Sequence, residues 1–100
     1  MVRLAWHSSG TYDKATDTGG SGAGTIRFKS ELAHGGNAGL AVTAVKWLEP
    51  IYKKYKKAGL SYADLYTLGG GTAFYFNSHD NSMEKLLFII LSLRVFFFFI

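Results

Sequence analysis

A chain of 100 residues with a formal net charge of +4 can form one small domain at most. Its composition, 48% hydrophobic, 16% aromatic and 18% charged, is that of a globular protein and excludes an intrinsically disordered chain. The absence of cysteine excludes disulfides, thiolate metal sites and thiol nucleophiles.

The first predicted element is a helix over residues 1–9, which we expect to end at Gly10 as its C′ glycine. Arg3 and His7 lie four residues apart and Trp6 lies three residues after Arg3, so the helical period places all three on one face. That face combines a permanent cation, a flat aromatic side chain and an imidazole base. The combination suits cleavage of an O–O bond, in which one group takes a proton and another stabilises a departing anion.

A loop is predicted over residues 10–29, and a single helical turn with Ser30 as its N-cap over residues 30–35. The predicted loop contains a glycine-rich run at residues 19–24. No Lys-Ser/Thr pair follows this run, which argues against a phosphate-binding loop.

The longest predicted helix covers residues 37–57, with Pro50 as a kink and Gly59 as its end. Asn37 is suited to be its N-cap. Apolar side chains recur along it at helical spacing and predict a buried stripe; they are Leu40, Ala44, Trp47, Leu48, Ile51 and Tyr55. Lysines gather at its C-terminal end, where cations complement the helix dipole.

Residues 61–64 resemble a capping box that opens another helix, and we expect this helix to weaken at the glycines 69–71. The helical pattern breaks from Phe74 onward. Residues 86–100 are almost wholly apolar, but they are too few for a membrane span of about 20 residues, and Arg94 interrupts them.

Several blocks of the sequence resemble the class I haem peroxidases, which include ascorbate peroxidases and cytochrome c peroxidases. The first block is VRLAWHSSGTY at residues 2–12, and its Trp6 beside the histidine is typical of class I. The others are TGG at 18–20, RF at 27–28, ELAHGGNAGL at 31–40, LEPI at 48–51 and LSYADL at 60–65. We therefore expect an all-α fold, with residues 1–73 forming the distal half of the peroxidase domain and residues 74–100 an unrelated apolar tail.

The resemblance implies a role for each site residue. His7 is expected to be the distal general base, with Asn37 accepting its Nδ1–H and Glu31 holding Asn37 in place. Arg3 is expected to stabilise the departing hydroxide, and Trp6 to stack over the haem. Arg3, Trp6 and His7 are thus the expected catalytic residues, and Arg3 and Trp6 also form the distal haem face.

The resemblance further implies haem b as cofactor, hydrogen peroxide as substrate and either ascorbate or cytochrome c as electron donor. The family's proximal histidine matches neither His34 nor His79, so we assign no metal ligand in this chain. We expect a truncated gene product with little or no peroxidase activity as it stands, located inside the cell in cytoplasm, chloroplast or mitochondrion.

The alternative is a small basic helical binding protein, in which the lysines at 53–57 contact an anionic surface and the tail associates with a membrane. No nucleic-acid partner is expected, because four lysines give only a modest affinity that falls steeply with salt.

Overall fold

The computed structural model describes residues 1–77, which are helical and contain no strand. The α-helices are α1 (Val2–Ser9), α2 (Lys29–Leu32), α3 (Ala44–Tyr55) and α4 (Tyr62–Asn77). Three short 3-10 turns lie between them, at Thr25–Arg27, Gly35–Asn37 and Lys56–Ala58. The expected all-α class is confirmed.

The core forms where α1, α3 and α4 meet the 3-10 turn at Thr25–Arg27. Its most deeply buried side chains are Leu4 of α1, Ile26 of the turn and Tyr66 of α4. Leu40, Ala44, Leu48 and Leu65 complete the cluster. In α3 the two core residues, Ala44 and Leu48, lie four positions apart, as the helical period requires, whereas Leu65 and Tyr66 of α4 are adjacent.

The start of α4 is a reciprocal capping box, as predicted. The Ser61 hydroxyl accepts a hydrogen bond from the Asp64 N–H at 3.1 Å, and the Asp64 carboxylate accepts one from the Ser61 N–H at 3.2 Å. Two of the backbone donors at the helix start are thereby satisfied.

The prediction that α4 weakens at residues 69–71 is wrong, as is the break expected at Phe74, because the helix continues to Asn77. The physical reason lies in the packing against α1. A Cβ atom on Gly70 would overlap the Cβ of Ala5, so the glycine lets the two helices approach closely. Glycine here serves an interhelical contact, which its low helix propensity does not reveal.

The long helix predicted over residues 37–57 is shorter, because it begins only at Ala44. Gly39 has a φ of +82°, a left-handed conformation that no helix can include, and residues 38–43 form turns. At its other end α3 stops at Tyr55, and the 3-10 turn Lys56–Ala58 continues the helical run to Gly59, which ends it as predicted with a φ of +100°. Pro50 lies inside α3, which continues past it to Tyr55.

The predicted buried stripe of α3 is only partly correct. Ala44 and Leu48 are buried, whereas Trp47 is 62% exposed and Ile51 and Tyr55 are also exposed. Trp47 lies about 100° around the helix from Leu48, outside the face that meets the core.

Two smaller predictions at helix ends are wrong. α1 ends before Gly10, as predicted, but Gly10 has the right-handed helical conformation, with its N–H bonded to the Trp6 carbonyl, and is not a left-handed C′ glycine. The turn expected from Ser30 begins at Lys29, with extended Phe28 before it, so Ser30 is not its N-cap.

No helix in the described part of the chain is long and apolar enough to cross a membrane. The apolar segment 86–100 and His79 lie outside the described residues.

Candidate active site on the first helix

Helix α1 has one face in the core and one face open. Leu4 and Ser8, one turn apart, are buried, and the Ser8 hydroxyl is satisfied by the Ala5 carbonyl at 3.0 Å. Arg3, Trp6 and His7 lie on the other side, as the helical period predicts. The packing of Leu4 and Ser8 therefore fixes the direction in which the three candidate site residues point.

His7 is held by a residue thirty positions away in the sequence. Its Nδ1 lies 2.8 Å from the Oδ1 of Asn37, which belongs to the 3-10 turn Gly35–Asn37 and is buried. The Asn37 side-chain nitrogen in turn donates to the backbone carbonyl of Glu31 at 2.8 Å. Glu31 thus contacts Asn37 through its main chain, and the contact requires no carboxylate.

These two hydrogen bonds determine which nitrogen of His7 carries the proton. A carbonyl oxygen can only accept, so the atom of Asn37 that faces Glu31 must be the amide nitrogen. The amide oxygen then faces His7, and Nδ1 must be the donor. In the neutral ring this leaves Nε2 as an unprotonated base.

Arg3 fastens the same turn to α1. Its Nη2 donates to the carbonyls of Gly36 at 2.6 Å and Ala38 at 2.8 Å. The two carbonyls flank Asn37. The hydrogen bonds of Arg3 and His7 therefore both connect α1 to the turn that contains Asn37 and orients the His7 ring. The sequence contains no signal for these acceptors, because every residue has a backbone carbonyl.

The expected N-cap role of Asn37 is wrong, because Asn37 precedes α3 by several residues and uses its side chain on His7 and Glu31. His34 is exposed and stands apart from the His7 contacts just described.

The exposed surface beside His7 suits a flat apolar cofactor. Trp6 is 74% exposed although it is among the largest apolar side chains of the chain. An exposed indole on the same face of α1 as an imidazole would give a planar macrocycle an apolar contact surface and would leave a base on that side. Within the described residues no group of three or more His, Cys, Asp or Glu could hold a metal ion.

The peroxidase family model matches residues 1–83. The chain is 57% identical to the mitochondrial cytochrome c peroxidase of Candida glabrata over 70 residues, which are 70% of this chain and 19% of that protein. It is 53% identical over 73 residues, 73% of this chain, to the probable peroxisomal L-ascorbate peroxidase 3 of Oryza sativa subsp. japonica, of which it covers 24%.

The chain therefore spans about a fifth to a quarter of the length of these relatives. No solved structure matches. The family match covers most of the chain, and its relatives are cytochrome c and ascorbate peroxidases. The chain belongs to the peroxidase family, in its class I haem-dependent branch.

Proposed function

We propose that this chain provides the distal wall of a haem site that cleaves hydrogen peroxide. The observation that supports this most strongly is the hydrogen-bonded series His7–Asn37–Glu31, which leaves an oriented base at His7 Nε2. A surface histidine without a chemical role needs no buried amide to select its tautomer.

His7 is the proposed general acid and base. Its Nε2 takes the proton of one oxygen of hydrogen peroxide and delivers it to the other oxygen, which already carries a hydrogen and leaves as water. Asn37 keeps the ring in the required orientation throughout, because Nδ1 remains its donor in both protonation states. The haem b group, when bound, supplies the electrons that break the O–O bond.

Arg3 is the proposed electrostatic partner. It lies one turn before His7 on the same face and its charge is permanent, so it stabilises negative charge that develops on the departing oxygen. Two carbonyls occupy Nη2, and a guanidinium has five N–H donors, so donors remain for this task. Trp6 is proposed to lie against the haem face.

The proposed reductant is ascorbate or cytochrome c, since the relatives include proteins named for each. The net charge of +4 disfavours a basic donor such as cytochrome c at this part of the surface.

A graft tests the proposal in a complete enzyme. The 70 matched residues of the Candida glabrata cytochrome c peroxidase are replaced by their counterparts from this chain. The graft is expected to bind haem and to consume peroxide. His7→Leu in the graft should lower kcat/KM for peroxide by about 10²–10⁴-fold, the usual contribution of a general acid or base.

The matched control is His34→Leu, which removes an exposed histidine of the same segment and should leave turnover unchanged. A graft that binds haem stoichiometrically and consumes no peroxide, or one in which both variants behave alike, would contradict the proposal.

A further inference from the structure

Two tyrosines from neighbouring helices are stacked face to face. The rings of Tyr52 in α3 and Tyr62 in α4 have centroids 3.6 Å apart and planes inclined by 18°. At this separation ring carbons of one residue are in van der Waals contact with ring carbons of the other. Both residues are partly exposed, so a small oxidant in solution can reach them.

Tyr62 also has an acceptor for its phenolic proton. Its hydroxyl donates to the carboxylate of Glu49, with both oxygens at 3.1 Å. Burial and this hydrogen bond raise the pKa of Tyr62 above its ordinary value, so the phenol is protonated at neutral pH. The proton that a phenol loses on one-electron oxidation can therefore pass directly to Glu49.

Arg27 strengthens the link between electron loss and proton loss. Its guanidinium carbon lies 4.5 Å from the centre of the Tyr62 ring. A cation at that distance disfavours positive charge on the ring. Oxidation of Tyr62 must then produce the neutral radical, with its proton on Glu49.

Tyr66 is a third tyrosine of the same region, and it lacks these features. Its ring is 5.9 Å from that of Tyr62 and tilted by 47°. Its hydroxyl is buried and donates to no acceptor in the described part of the chain. Oxidation of Tyr66 would leave its proton with no partner.

We propose that Tyr52 and Tyr62 form an intramolecular dityrosine cross-link under one-electron oxidation, with Glu49 as proton acceptor. The bond would join α3 to α4 covalently at the stacked rings. The reaction needs only a one-electron oxidant, so it does not depend on the proposed haem site.

The cross-linking reaction balances in two stages. Each phenol gives one electron to the oxidant and one proton to a base, Glu49 for Tyr62 and solvent for Tyr52. The two radicals then couple through ortho carbons of the facing rings, and each ring moves its ortho hydrogen to its own oxygen to restore the phenol. The product has lost two hydrogens in total, as two electrons and two protons.

The test uses the full chain with tris(2,2′-bipyridyl)ruthenium(II), persulfate and visible light as the source of one-electron oxidant. We expect dityrosine fluorescence in monomeric protein and a mass lower by two hydrogens. Trypsin cleaves after Lys46, Lys53, Lys57 and Lys85, so Tyr52 and Tyr62 fall in different peptides, 47–53 and 58–85. These two peptides should remain joined after digestion, with fragmentation placing the bond at Tyr62.

Tyr52→Phe and Tyr62→Phe should each abolish the joined peptides, whereas Tyr12→Phe and Tyr55→Phe, at exposed tyrosines, should preserve them. Glu49→Gln should lower the yield several-fold, and the yield of the unaltered chain should fall similarly in strong urea, where the rings no longer stack. Joined peptides that survive Tyr62→Phe, cross-links only between chains, or equal yield in urea would each overturn the proposal.

Discussion

The smallest unit on which the proposed chemistry depends is the amide of Asn37. Its oxygen and nitrogen both have partners, His7 on one side and the Glu31 carbonyl on the other. Because the two atoms differ in hydrogen-bonding character, exchange of their positions would break both contacts. One buried residue thereby sets the tautomer of another on a different element.

That assignment predicts the protonation pattern of His7. In the neutral ring the proton should reside on Nδ1, although free histidine in water favours Nε2. Long-range 1H–15N NMR correlations of the chain distinguish the two forms directly. Asn37→Leu should remove the preference, and exposed His34 serves as the internal control with the ordinary tautomer. A neutral His7 with its proton on Nε2 would contradict the hydrogen-bond assignment.

The hydroxyl of Tyr66 predicts a stabilising substitution. Tyr66→Phe should raise the free energy of unfolding by about 1 kcal/mol at neutral pH, because it removes a buried donor without an acceptor. Tyr62→Phe is the contrasting variant and should destabilise, since its hydroxyl bonds to Glu49. Urea unfolding followed by circular dichroism measures both, and equal effects of the two would contradict this account.

The same residue predicts an alkaline limit to stability. Burial raises the pKa of Tyr66 to about 12, above its ordinary value of 10.0. The folded state therefore keeps a proton that the unfolded state loses, and stability falls as the pH rises from about 10 toward 12. The advantage of Tyr66→Phe should widen over that range.

At the scale of elements, the contact between α1 and α4 holds the helix that carries the candidate site residues. Ala5 packs against Gly70, and the Cβ that an alanine at position 70 would add has no room. Gly71, the next residue of the same helix, has nothing within 4 Å of the corresponding position.

This difference predicts opposite effects at adjacent positions. Gly70→Ala should destabilise the fold by about 1–3 kcal/mol through overpacking. Gly71→Ala should stabilise it by about 0.5–1 kcal/mol, because alanine has the higher helix propensity. Urea denaturation at one temperature compares them, and a stabilising Gly70→Ala would show that α1 and α4 are not in close contact.

What the sequence could predict at this scale was local. The capping box at Ser61 and Asp64 and the end at Gly59 depend on residues within one turn, and both were predicted. The sequence did not predict the start of α3 or the continuation of α4 through its glycines. Both depend on contacts with residues far away in the sequence. The burial predicted for Trp47 is wrong for a related reason. Periodicity identifies an apolar stripe along a helix, but it does not show which part of the stripe a neighbouring element covers.

At the scale of the whole molecule, the described part of the chain is a small helical assembly in which one face of α1 is open. Leu4, Ile26 and Tyr66 form its centre, and Arg3, Trp6 and His7 lie on the outer side of α1. The shared face of these three followed from helical spacing. The pairing of His7 with Asn37 could be expected only from family resemblance, because no local rule joins residues thirty positions apart.

The open face of α1 carries a large aromatic side chain, Trp6, which is 74% exposed. We propose that a haem group lies against Trp6 in a complete domain of this family. The central claim is therefore that this segment can serve as a functional distal wall when the remainder of such a domain is supplied.

The most direct test is the second-order rate constant for the first reaction of hydrogen peroxide with the haem-loaded graft, measured by stopped-flow absorbance. We expect a rate constant close to that of the parent cytochrome c peroxidase. The rate constant should fall by about 10²–10⁴-fold in the His7→Leu variant of the graft and stay unchanged in the His34→Leu variant. A haem-loaded graft that reacts no faster than its own His7→Leu variant would contradict the central claim.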